Sequence, residues 1–193
     1  MYLGVKTEGD TDYLVMENSV YGFVRPCVMD LKMGTKTYGE DATPEKIARE
    51  EKKYPPQKTL GFRFVGMKVW QPATESYSKT EREWCMAIDE TTVGAGLERF
   101  FDNGTDALRK DVVSDVRDQI EKIKLTLENH PFMRLYGSSL LVVYEGDPSA
   151  SNKKPLVKMI DFAHPFPIND GGVDTGYILG CSTILTELER ITH

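Results

Sequence analysis

The stretch Pro26-Cys27-Val28-Met29-Asp30-Leu31-Lys32-Met33-Gly34 sets a carboxylate and an ammonium two residues apart in an otherwise apolar run. A strand alternates its side chains between two faces, so a strand here puts Asp30 and Lys32 together while Val28, Met29, Leu31 and Met33 fill the rest. An acid and a base then share one site. The same spacing also suits an exposed ion pair on a strand edge, and the stretch alone leaves both readings open.

Working outward, Thr43 before Pro44 predicts a helix start, with a hydroxyl to cap and a proline at the first helical position. Tyr54-Pro55-Pro56 ends that helix. Within it Lys46, Arg49 and Lys53 project from one face, with Lys52 at the margin. Lys58, Arg63 and Lys68 follow, which makes residues 46 to 68 the most basic part of the chain. Interspersed Glu45, Glu50 and Glu51 suit an ordinary solvated face, whereas proximity to Asp30 and Lys32 suits a ligand carrying several phosphates. The run from Leu60 to Trp70 reads as a strand. Period two predicts Arg63, Val65 and Met67 on one face, with Phe62, Phe64 and Lys68 on the other.

Elsewhere, Tyr13-Leu14-Val15-Met16 reads as a strand that breaks into a linker at Glu17-Asn18-Ser19. Ser78-Lys79-Thr80-Glu81 fits a capping box opening a short helix. A further helix is predicted from about Thr92 to Asp102, stopped by Asn103-Gly104. Val112, Val113, Val116, Ile120, Ile123 and Leu127 then form the apolar stripe of a long core helix. Leu140 to Tyr144 and Leu156 to Ile160 should pair as a hairpin. From about Asp174, Tyr177, Ile178, Cys181, Ile184, Leu185 and Leu188 recur at helical spacing.

A chain of 193 residues can bury a proper core. Its net charge of -6 argues against a nucleic-acid partner, for which a basic surface is the usual footprint. No apolar run approaches a membrane span, and no basic-then-apolar leader is present. Cys27, Cys85 and Cys181 are odd in number and lie in apolar or helical contexts, as buried thiols of a reducing compartment do. The expectation is a cytosolic or nuclear protein. His130 and His164 have no partners at metal-ligand spacing.

The pattern Pro-x-x-x-Asp-x-Lys-x-Gly at residues 26 to 34 resembles the signature of the inositol polyphosphate kinases. Gly137-Ser138-Ser139-Leu140-Leu141 resembles their Ser-Ser-Leu-Leu segment, and Ile160-Asp161-Phe162 their Ile-Asp-Phe metal motif, in the expected order. The resemblance runs from about Tyr13 to the C-terminus. It implies an α+β fold, the protein-kinase-related C-terminal lobe of this family, with an antiparallel sheet and packed helices. With the hinge at about Tyr13, the strand-rich N-terminal lobe is expected to be largely missing. Residues 1–20 are then its remnant with the hinge, and 21–193 the catalytic lobe, with an inositol-phosphate-binding segment at about 40–68. A lobe cut away exposes apolar surface and sheet edges, which favours oligomers.

The resemblance also implies roles. The Glu17 carbonyl and the Ser19 amide would read adenine, Asp30 would take a proton from the acceptor, and Lys32 would contact both the acceptor and the γ-phosphate of ATP. Asp161, with the Ser139 hydroxyl, would hold Mg2+ under the nucleotide. Lys32, Lys46, Arg49, Lys53 and Lys68 would bind the inositol polyphosphate. Residues 34–46 look most like the inositol hexakisphosphate kinase branch, while the sequence around Gly61-Phe62-Arg63 is similar in the multikinases too. Two function classes follow: an ATP-dependent kinase acting on inositol hexakisphosphate or a lower inositol phosphate, and a non-catalytic inositol-phosphate-binding module.

Overall fold

The computed structural model describes residues 2–105, 108–150, 154–162 and 164–192. The Asp30 stretch is strand β3 (Pro26–Met33), and it runs through the middle of a five-stranded sheet. Strands β1 (Tyr2–Glu8) and β2 (Thr11–Met16) precede it as a separate antiparallel hairpin. After β3 come α1 (Pro44–Lys53), α2 (Gln57–Leu60), β4 (Phe62–Gln71), β5 (Ser76–Lys79), α3 (Arg82–Ala87), α4 (Val93–Phe101) and α5 (Lys110–Asn129). The chain then forms β6 (Met133–Leu135), β7 (Ser139–Glu145), β8 (Leu156–Ile160), β9 (Pro165–Pro167) and α6 (Thr175–Thr192). The large sheet has the order β5-β4-β3-β7-β8 with every neighbour antiparallel, and β6 pairs with β9. This is the α+β architecture the sequence predicts.

Alternation in β3 is strict. Cys27, Met29, Leu31 and Met33 are all within 1% of complete burial, whereas Pro26, Val28, Asp30 and Lys32 are half-buried on the opposite face. The buried face meets α6 and shares one core with Val112, Val113, Val116 and Ile120 of α5 and with an aromatic group of Phe62, Phe64, Phe100, Phe101 and Tyr144. Edge-on pairs such as Phe100–Tyr144, 5.1 Å between ring centres, add about 0.5–1.5 kcal/mol each beyond simple burial. Helices therefore cover one face of the sheet and leave the Asp30 face free for chemistry.

Backbone meets backbone where α6 crosses the start of β4. A Cβ on Gly61 would lie 2.3 Å from the Gly180 amide nitrogen, and one on Gly180 would lie 2.3 Å from the Gly61 carbonyl oxygen. Gly61 also has φ +73, a conformation that glycine adopts freely and other residues rarely do.

Two sequence readings are corrected. The box at Ser78–Glu81 does not cap a helix: Ser78 and Lys79 lie in β5, and α3 begins at Arg82. Ser78 instead pairs with Val69 of β4, so strand pairing has taken the residue expected to cap the helix, and the Thr80 hydroxyl beyond it accepts the Met67 amide at 3.0 Å. Strand β4 does not alternate simply either. Its register against β3 slips between Asp30 and Leu31, leaving Val65 as the extra residue of a bulge. A bulge reverses the alternation downstream of it. Phe62, Phe64, Met67 and Val69 consequently all face the core, while Arg63 and Lys68 share the opposite face. Lys68 thus leaves an apolar face for a polar one.

The remaining elements agree with the sequence reading within a residue or two, and Thr43 caps α1 by accepting the Lys46 amide. β1, the short α2 and the β6–β9 pair fall where the sequence carried no periodic signal. All three cysteines are buried free thiols, and Cys27 accepts the Trp70 amide at 3.2 Å. Among the described residues, no helix is long and apolar enough to cross a membrane.

Candidate active site

Register builds the site. Lys32 pairs across to Arg63 on β4 and to Ser139 on β7, and Ser139 pairs onward to Ile160 on β8, the residue before Asp161. Directly opposed residues share a face, so one line across four strands presents Arg63, Lys32 and Ser139 and ends beside Asp161. Asp30 lies two residues back on the same face as Lys32. Because β3 is an interior strand, the reading of Asp30 and Lys32 as an exposed pair on a strand edge is excluded.

Asp30 is held in an unusual state. Burial pushes its carboxyl above the ordinary carboxylate range, opposed by the Ser139 hydroxyl and the Lys32 ammonium and reinforced by the charge of Asp161. Its Oδ1 and the Ser139 hydroxyl beside it are buried and meet no partner in full hydrogen-bond geometry among the described residues, as is also true of the Ser138 and Tyr177 hydroxyls in the core. Unsatisfied buried polar atoms are uncommon, and a water, ion or ligand atom would complete the pair at Asp30 and Ser139. Opposite Asp30 stands Gly66, where an added Cβ would meet nothing within 4 Å. The space over Gly66, across from Asp30, is open.

Lys32 donates from Nζ to the Gly137 carbonyl at 2.9 Å, which fixes its reach along the sheet. Asp161 has φ +63, a backbone conformation that costs a residue with a Cβ about 1–3 kcal/mol and recurs at functional positions. Ser139 and Asp161 offer one hydroxyl and one carboxylate. A divalent cation that takes oxygen ligands and keeps several of them from phosphate or water fits that set.

The linker after β2 crosses toward this face. Glu17 forms a 3.1 Å ion pair with Lys158, which pairs with Leu141 and so stands on the same face as Asp30. Ser19 is half-buried in the turn that follows. Farther on, the buried Glu145 carboxylate accepts the amides of Val24, Arg25 and Asp147 at 2.6, 2.8 and 3.0 Å. The linker is thereby latched to the end of β7.

The predicted basic residues are distributed unevenly. On α1, Lys53 is bound to Glu50 at 2.6 Å and Arg49 approaches the same oxygen at 3.5 Å, while Lys46 is half-buried at the first turn. Lys68 pairs with Val28 and lies over the Tyr77 ring at 4.9 Å, about 13 Å along the strand from Lys32. It is on the right face but not in the Lys32 line. Arg63 takes the place beside Lys32, and the sequence reading did not nominate it because simple alternation set it apart from Lys68. Burial pushes its guanidinium down from its usual range, opposed chiefly by the charge of Glu50 on α1. Lys158 is the second omission; it sits one turn of alternation before Ile160-Asp161, which was the available signal. A cavity of about 440 Å³ opens between β4, β5 and α4 near Met67, Val69 and Arg99, and neither Asp30, Lys32, Ser139 nor Asp161 lines it.

The family model for inositol polyphosphate kinase matches residues 13–189. The chain is 38% identical to the human inositol polyphosphate multikinase over 142 residues, which covers 74% of this chain and 34% of that protein. It is 30% identical to human inositol hexakisphosphate kinase 1, covering 93% of this chain and 52% of the relative. It therefore spans about a third to a half of the length of these relatives. A crystal structure of the inositol phosphate multikinase Ipk2 of S. cerevisiae, in complex with ADP and Mn2+, superposes with a TM-score of 0.87 at 26% identity, covering 100% of this chain and 88% of that one.

Proposed function

We propose, from the premise that this chain belongs to the inositol polyphosphate kinase family, that it transfers the γ-phosphate of ATP to an inositol polyphosphate. The observation that carries the proposal is the line of Arg63, Lys32 and Ser139 running to Asp161, with Asp30 on the same face beside it. Phosphoryl transfer asks a protein for a cation across donor and acceptor, a base near the acceptor oxygen, and oxygen ligands for a metal under the phosphates. Lys32 supplies the first and Asp30 the second. Asp161 and Ser139 are the residues that would hold Mg2+, and the yeast neighbour's ADP and Mn2+ support a nucleotide with a divalent cation.

In this reading Asp30 accepts the proton of an attacking hydroxyl while Lys32 and Arg63 face the acceptor's phosphates. A carboxyl whose acidity has been weakened by burial is a better base, since proton affinity nearer the working pH serves general catalysis. Asp161 and Ser139 would hold a divalent cation, whose charge would offset that of the nucleotide phosphates. The linker around Glu17 and Ser19, tied down by Lys158 and Glu145, would offer its backbone to adenine.

Residues 34–46 support inositol hexakisphosphate as the acceptor, with a pyrophosphate as product. A second reading, a lower inositol phosphate bearing a free hydroxyl, is supported by Asp30 itself, because an acceptor phosphate is already an anion and needs no base. The test is magnesium-dependent ATP consumption with inositol hexakisphosphate and an inositol trisphosphate offered separately, the products resolved by electrophoresis. One added phosphate on either acceptor is the expected result and identifies which. No turnover, with inositol phosphate binding intact by calorimetry, would leave a binding module instead of a kinase.

A further inference from the structure

Glu50 is an anion set inside the proposed anion site. Its side chain is only 13% exposed, and its Oε1 takes Lys53 Nζ at 2.6 Å and Arg49 Nε at 3.5 Å. The Thr37 hydroxyl approaches Oε2 at 3.4 Å. The same carboxylate is the leading opposite charge acting on Arg63, which stands next to Lys32. Three of the cations available to a phosphate-rich ligand thus face one carboxylate. Neighbouring Glu51 differs: it binds Lys58 at 3.0 Å and the Tyr38 hydroxyl at 2.7 Å, away from this group.

An ionised carboxylate accepts hydrogen bonds and donates none. A substrate hydroxyl arriving near Glu50 can donate to it and leave the Arg49 and Lys53 contacts in place. A phosphate must instead compete for those cations and meet an uncompensated like charge. The discrimination grows with the number of phosphates around the ring.

We propose that Glu50 is a specificity-determining counter-ion, which occupies the phosphate position between Arg49 and Lys53 in the empty site and disfavours fully phosphorylated inositols relative to those that keep a free hydroxyl there. This rests on the kinase reading above and decides between its two acceptors on the side of the lower inositol phosphate. No residue of α1 is buried, so changing Glu50 leaves the core untouched.

Calorimetric titration with inositol hexakisphosphate and an inositol trisphosphate tests it on three proteins: wild type, Glu50→Gln and Glu45→Gln. Glu45 lies in the first turn of the same helix, and its variant makes the same change in net charge. Glu50→Gln should raise the hexakisphosphate-to-trisphosphate affinity ratio roughly tenfold, and Glu45→Gln should leave it unchanged. Glu50→Asp, which withdraws the charge by one methylene, should fall between. An unchanged ratio in Glu50→Gln, equal weakening of both ligands, or an equal shift in Glu45→Gln would each overturn the proposal. Failure of the kinase reading would look different, because it would appear in wild type itself, as binding without ATP turnover or as no binding of either ligand.

Discussion

Asp30 combines a function-bearing position with an unfavourable environment, and the two are separable by experiment. Its carboxyl is pushed upward chiefly by burial. A raised acid pKa means the folded chain holds its proton longer than the unfolded one, so stability falls as pH rises from the ordinary carboxylate range through the raised value, and stays lower above it. Asp30→Asn removes that loss. We expect the variant to melt at a higher temperature than wild type at neutral pH, with the difference vanishing in acid. Its turnover should drop by about 10²–10⁴-fold, the usual contribution of a positioned base. Calorimetric melting at several pH values and steady-state assays check both halves; a variant less stable at neutral pH would show that the carboxylate is a structural anchor.

At the scale of elements, the bulge at Val65 decides which residues of β4 can act. Val65 is 45% exposed, so its side chain matters little; what matters is that the cross-strand pairing skips it. Val65→Thr should change stability by no more than about 0.5 kcal/mol, as exposed substitutions do. Deleting Val65 should join Phe64 to Gly66 in regular alternation, which keeps Met67 and Val69 in the core and Arg63 and Lys68 on the opposite face, so the deletion should fold and keep inositol phosphate binding. Thermal melts and calorimetry check both halves, and an unfolded or non-binding deletion would mean that the site needs the local bend of the bulge itself. The bulge also explains what the sequence withheld. The alternation of β3, the stripe of α5, the cap of α1 and the pairing of β7 with β8 were legible because each is a periodic pattern with a local cause. A one-residue slip has no such pattern: it is set by cross-strand pairing with Asp30 and Gly66. Arg63 was unreadable as a neighbour of Lys32 for the same reason, since only the register carries it there. The β6–β9 pair, three residues a side, is too short to show a period at all.

For the whole molecule, the outlying feature is the β1–β2 hairpin. Tyr2 pairs with Met16 and Val5 with Leu14, so one face of the ribbon presents four large apolar side chains that are each more than half exposed. Two strands alone are marginal in water, and such a face promotes association. We expect sedimentation velocity to show mass increasing with concentration, and a Leu14→Lys, Met16→Lys variant to suppress the increase while leaving the melting temperature of the main core within about 2 °C. An unchanged concentration dependence in the variant would assign the association to another surface.

The three thiols offer a practical consequence. Cys27, Cys85 and Cys181 are at most 2% exposed, and burial pushes Cys181 up to about 12 and Cys27 upward as well. Only the thiolate attacks alkylating reagents, so the native chain is chemically silent toward them near neutral pH. A single cysteine placed on α1 or in the linker after β2 would then be the one reactive handle on the folded protein. A fluorophore pair carried by one such cysteine on α1 and another in the linker would report, in real time and without removing any native cysteine, whether the basic helix closes when an inositol phosphate arrives.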